Sequence, residues 1–286
     1  MFFSRRIIEK LIDGYVDFKD TWKFVMKKAD LEMTKELALA VKFFLSKHPG
    51  NWNGNGNCGF YCNHRTLSCS PLHIGAEAGQ ATLCEFILQI TKDKNPGDME
   101  GCTPLHAAAS AGHFPICEMI MNEIKDKNPR DEEGYTPLHG AARSGHLSIC
   151  SMIIDEIQDK NPTDEDGSTP LHEAAFSGHL LICSMMMDEI EDKNPRDEIG
   201  RTPLHEAAKG GHLETFKMIL NKAETEINPS VNRGCLGGWT PLHFAAANGH
   251  KEMCKFIVGK VDEKNPEAND GRTPKDLMWK SICEDN

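Results

Sequence analysis

Between residues 128 and 160 two apolar stripes of different length follow one another. Leu138, Ala141 and Ala142 fall on one side of a short helix that begins at Thr136-Pro137 and stops at Gly145. Ile149, Cys150, Ile153, Ile154 and Ile157 recur at three- and four-residue spacing and predict a second helix from about Leu147 to Ile157. Thr136 reads as an N-cap, and Pro137 takes the first helical position, where its missing N–H costs nothing. Gly145 reads as a left-handed terminator. Asn161-Pro162 breaks the second helix, and Asp164 to Gly167 supplies a turn before the next Thr169-Pro170.

The same pattern recurs. Thr/Ser-Pro dipeptides begin at Ser70, Thr103, Thr136, Thr169, Thr202, Thr240 and Thr273; five of the six spacings are 33 residues and one, from Pro203 to Pro241, is 38. A fixed period of this size predicts stacked helical pairs that bury a core only between neighbours. The strings Thr-Pro-Leu-His at 103–106, 136–139, 169–172, 202–205 and 240–243 stand beside Gly-His pairs at 112–113, 145–146, 178–179, 211–212 and 249–250. On these residues the chain resembles the ankyrin repeat family. The resemblance covers roughly residues 67 to 286 and implies an all-α solenoid of stacked helix-turn-helix pairs with protruding β-turn tips. About six full repeats and a truncated C-terminal capping repeat are expected there. Residues 1–66 are expected to form a helical N-terminal cap or a degenerate repeat, followed by the Asn/Gly-rich loop Gly50 to Asn57. The extra residues of the long step, around Glu226 to Gly238, predict a protruding turn with Trp239 at its base.

Charge sharpens the choice of partner. The formal net charge is -11, but residues 1–65 carry 11 Lys/Arg against 7 Asp/Glu, while the remainder carries 21 against 36. An acidic array repels phosphate backbones, so nucleic acid is not expected and a basic protein surface is. No run of about 18 apolar residues is present, so no membrane span is expected. The charged start does not resemble a leader, and a cytoplasmic or nuclear monomer is the expectation.

Several motifs invite chemistry. Gly54-x-Gly56-x-x-Gly59 matches a dinucleotide fingerprint by letter, yet it follows a Pro-Gly-Asn loop rather than a strand and reads as loop. Eleven of the 13 His occupy the two repeated positions. Equivalent residues of adjacent repeats stand about 10 Å apart, too far to share a zinc ligated at ~2 Å. They are expected to bond loop backbone between repeats. Cys84, Cys117, Cys150, Cys183 and Cys254 share one position in the second helix and read as buried free thiols. Cys58, Cys62, His64 and Cys69 cluster outside the repeats; a small zinc-binding N-terminal module is the alternative reading of that segment. No catalytic residue, cofactor or metal is expected in the array. The chain reads as a non-enzymatic scaffold or adaptor, with a regulatory subunit of an enzyme complex as a second alternative.

The resemblance further implies that the turn tips and first helices line a concave face on which partners dock. Tyr135, Arg143, Glu173, Phe176, Arg201, Glu206, Lys209, Trp239 and Phe244 vary between copies, occupy equivalent positions, and are expected to line one groove. Glu173 and Glu206 are expected to repel each other mildly, which a partner segment carrying a basic residue near an apolar one would relieve. Trp239→Ala and Phe176→Ala are expected to weaken binding with little effect on folding. Asn95, Asn128, Asn161, Asn194 and Asn265 resemble the turn asparagine hydroxylated in some ankyrin repeats. The Pro that follows each replaces the usual small residue, so the turn-forming role is preferred.

Overall fold

The first helices begin at a Thr, or at Ser70 in the first copy, whose backbone is extended, with φ near -120° at Thr136, Thr169 and Thr202. Pro follows at the first helical position, and the orphan amides of the first turn are then accounted for one by one. The Thr amide donates to Nδ1 of the His three residues on, at 3.2 Å for Thr136 and His139, and the Thr hydroxyl contacts the same nitrogen at 2.9 Å. The Leu amide at the second helical position donates to an Asn side chain from the preceding loop: Leu105 to Asn95 at 3.0 Å and Leu242 to Asn228 at 3.1 Å. Because a backbone N–H points at Nδ1, the imidazole proton must reside on Nε2.

The computed structural model describes residues 70–224, 226–230 and 237–283. They contain thirteen helices and no strand. The expected cap, the Gly54–Gly59 loop, the Cys58–Cys69 cluster and residues 231–236 of the long step lie outside the described residues. The chain divides into two units, residues 1–132 and 133–286.

In the first unit, α1 (Pro71–Glu77) and α2 (Ala81–Ile90) form one pair and α3 (Pro104–Ala111) and α4 (Phe114–Glu123) the next. Leu72, Leu83, Cys84, Ile87, Leu105, Ile116, Cys117 and Ile120 are its core. His73 Nε2 donates forward to the Cys102 carbonyl at 2.9 Å, and His113 Nε2 donates back to the Glu77 carbonyl at 3.0 Å. Each pair is thus tied to its neighbour at both ends of the first helix.

The second unit contains α5 (Pro137–Ser144), α6 (Leu147–Glu156), α7 (Pro170–Ser177), α8 (Leu180–Glu189), α9 (Pro203–Gly210), α10 (Leu213–Ala223), α11 (Pro241–Ala247), α12 (Lys251–Val258) and α13 (Pro274–Cys283). The first helices α5, α7, α9, α11 and α13 pack consecutively. Ala141, Ala142, Ala174, Ala175, Ala207, Ala208, Ala245 and Ala246 are fully buried between them, since methyl side chains let helix axes approach closely. Forward bonds run from His139 to Ser168, His172 to Arg201 and His243 to Arg272; backward bonds run from His179 to Arg143 and from His250 to Lys209. His205, in the copy before the 38-residue step, is buried, and among the described residues its Nε2 makes no forward bond of this geometry.

Two further devices recur. The turn tips are Asx turns: Asp164 Oδ1 accepts the amides of Asp166 and Ser168, and one backbone bond joins consecutive tips, as from Glu198 N to the Asp166 carbonyl at 2.9 Å. In the string Asp-Lys-Asn-Pro, Lys94, Lys127 and Lys160 cap the last carbonyls of the second helix just ended, at Leu88, Met121 and Ile154. The following Asn opens the next first helix, as described above. Glycine is required where the first helix ends: Gly178 has φ +77°, and a Cβ there would lie 2.3 Å from the His212 ring.

Candidate protein-binding surface

Five of the nine expected contact residues meet on the first helices of α5, α7 and α9. Arg143 ends α5 and reaches Glu173 on α7, with Nη1 2.8 Å from Oε2. Glu206, the equivalent residue on α9, is held by Arg201 at 3.2 Å and by Lys209 at 3.6 Å. Phe176 stands between these two clusters. The Arg143 guanidinium lies 5.5 Å from its ring centroid and the Lys209 ammonium 5.0 Å from it, both within cation–π range. Arg201 also pairs with the buried Asp197 at 2.6 Å, which anchors it at the tip preceding α9.

The electrostatics follow from burial. Burial pushes the Glu173 carboxyl above its usual range, and Arg143 pulls it partly back; Glu206 adds a smaller upward push. Burial works against the Arg201 charge, but Glu206 and Asp197 together outweigh it and raise its pKa. The expected repulsion between Glu173 and Glu206 is therefore only a minor contribution, because each carboxylate already has a cation from its own chain. The motive for a partner cation at these two residues falls away.

Trp239 and Phe244 also need correction. They are 6% and 4% exposed, so neither offers a ring to a partner. Trp239 stacks on His243 with centroids 5.8 Å apart and meets Phe244 edge-on at 5.1 Å, while the Arg272 guanidinium covers its outer side at 5.0 Å. Phe244 packs edge-on against His205 at 5.8 Å. These aromatic rings form a wedge inside the stack, and the expectation that Trp239→Ala would spare folding does not stand. Tyr135 is half-buried and stacks on His139 at 4.9 Å. What remains accessible is Phe176 with parts of Tyr135, Arg143, Arg201 and Lys209.

The repeated histidines and cysteines behave as scaffold. His172 and His205 are pushed down to about 4 and about 3, chiefly by burial. The thiols of Cys84, Cys117, Cys150 and Cys183 are pushed up to about 12 by the same cause. Among the described residues no group of His, Cys, Asp or Glu is arranged to hold a metal ion, and no helix is long and apolar enough to cross a membrane. The roles of Arg272 and Asp197 were not foreseen from sequence; the one signal was their position beside the tips.

A family model for ankyrin repeats in three copies matches residues 29–131, 72–164, 120–197 and 153–233, and one for a single ankyrin repeat matches residues 237–274. The first of these matches begins inside the segment read as a cap or degenerate repeat. No individual curated protein matches the chain. Repeats of this kind generally serve as protein–protein interaction modules. Together the matches cover residues 29–233 and 237–274, well over half of the chain, and the chain belongs to the ankyrin repeat family.

Proposed function

We propose that the protein is a non-enzymatic adaptor that binds a partner protein on the concave face formed by α5, α7 and α9. The observation that supports this is the ring of Phe176, fixed between Arg143 and Lys209 while those cations are held by the half-buried Glu173 and the buried Glu206. An aromatic ring held in this way loses little freedom on binding, which favours affinity. The face offers the residue types that dominate binding energetics, Tyr135, Arg143, Phe176 and Arg201. A partner segment would set an apolar residue on Phe176. Its basic residue would face the exposed tip acids Glu165, Asp166 and Glu198 rather than Glu173 and Glu206. Asp166 acts on Arg201 electrostatically, which puts the tip charge within reach of this face. The protein works as a monomer in the cytoplasm or nucleus, and its acidic tips disfavour nucleic acid.

The test is comparative capture. Proteins retained by wild type and lost by Phe176→Ala are candidate partners, and the affinity of a purified partner should fall by about 1–3 kcal/mol in that variant. A partner that binds wild type and Phe176→Ala with equal affinity would overturn the assignment to this face.

A further inference from the structure

The outer side of the second unit carries a groove of a different character. It runs between α6 and α8, holds about 730 Å³, and is lined at one end by Leu147 and Leu181 and at the other by Asp188 and Glu189. Leu147, Leu180 and Leu181 are three of the four large apolar residues that stand exposed among the described residues, and Leu181 is 66% exposed. Ser151 and Ser184 open the groove between the helices. The residues at the same position in the other second helices are Glu85, Glu118, Lys217 and Lys255, long charged side chains that would fill such a gap.

The polar end is unusual for a helix terminus. A helix macrodipole favours cations in its last turn. Both α6 and α8 instead end in Asp-Glu, and neither has a basic residue in its last turn. Lys222 reaches Asp188 at 2.6 Å, and Lys160 caps the Ile154 carbonyl. Asp155, Glu156 and Glu189 remain exposed with no ion pair to another described residue. Two equivalent helices thus place a leucine end and an acidic end, in which only Asp188 has a cation of its own chain among the described residues, about eight residues, or ~12 Å, apart.

We infer that this groove is a second docking site, separate from the concave face, and that its occupant is an amphipathic helix of a partner protein with Lys or Arg gathered at one end. Two turns of helix cover the distance, and side chains at i and i+4 fit the channel between two parallel helices. The leucines of the occupant cover Leu147 and Leu181, and its cations face Asp155, Glu156 and Glu189, the acids left without an ion pair to another described residue. Charge complementarity selects this occupant over an acidic or uncharged one.

The test uses a displayed library of 14-residue helical peptides selected on the intact protein. Enriched sequences should combine an apolar stripe with a basic end. Their binding should fall at least tenfold in Leu181→Asp and in Glu189→Lys, weaken with added salt, and be unaffected by Phe176→Ala. Leu181 is exposed, so its variant should keep the wild-type Tm; Leu181→Ser provides a milder second variant. Selected peptides that bind wild type and both groove variants alike, or that lack a basic end, overturn the proposal. So does a wild-type dimer in sedimentation that Leu181→Asp converts to monomer, since a second copy would then be the occupant. Because Phe176 and Leu181 lie on different faces, loss of one site leaves the other readable.

Discussion

Arg143 and Glu173 lie 30 residues apart in sequence, one helix beyond one another in the stack, and meet at 2.8 Å with the carboxylate mostly buried. Removing the cation leaves that carboxylate without its counterion. Arg143→Ala should therefore cost about 1–2 kcal/mol, below the loss for a fully buried pair because the guanidinium is partly solvated. Glu173→Ala in the same background should recover part of it. Urea unfolding of the two single variants and the double variant measures the coupling directly; additive losses would mean the pair contributes nothing.

Trp239→Ala should behave as a core truncation, with a loss of about 3–5 kcal/mol. The indole is enclosed by His243, Phe244 and Arg272. Thermal unfolding checks this, and a Tm within a degree or two of wild type would show the ring to be dispensable to the stack.

Acid should weaken the stack through its histidines. The His172 imidazole titrates near 4 in the folded chain and near 6.5 when unfolded. Between those values the unfolded chain binds the extra proton, so stability is complete above pH ~6.5 and falls as the pH drops toward 4, by about 3 kcal/mol for this one residue. His205, pushed to about 3, extends the loss to lower pH. Denaturant midpoints measured from pH 7 to pH 4 should fall steadily, and the fall should be shallower in His172→Gln. A pH-independent midpoint would contradict the buried neutral state.

Gly178→Ala should destabilise by ~2 kcal/mol or more. The residue combines a left-handed backbone with a Cβ position 2.3 Å from the His212 ring. The loss should exceed that of Gly259→Ala at the end of α12, where φ is negative and the nearest atom is 3.3 Å away. Paired unfolding curves of the two variants decide it.

The elements that could be read in the sequence are those made by local chemistry repeated in register. Thr136, Pro137, His139 and Gly145 each do what their residue type prefers, and the buried cysteines follow from the period alone. Reach across repeats was not legible. Arg143 and Glu173 sit at different positions of their repeats, so no comparison of equivalent positions pairs them. Trp239 shares its position with the half-buried Tyr135 and Arg201, but its larger ring finds apolar cover in Phe244 and a lid in Arg272. In the Asp-Lys-Asn-Pro string, Asn161-Pro162 is by residue type a helix breaker, and the capping by Lys160 and Asn161 depends on distances that no residue type specifies.

That string also orders events along the chain. Lys94 reaches back six residues and Asn95 forward ten, whereas His73 must wait 29 residues for its acceptor and His113 returns 36 residues to find its own. During synthesis the ends of each helix can be sealed almost as soon as it emerges, before any neighbour exists. The longer histidine links are made only when the next pair arrives. A chain built in this way can close one joint at a time as it leaves the ribosome, and an arrest leaves open only the joint whose next pair has not yet been made.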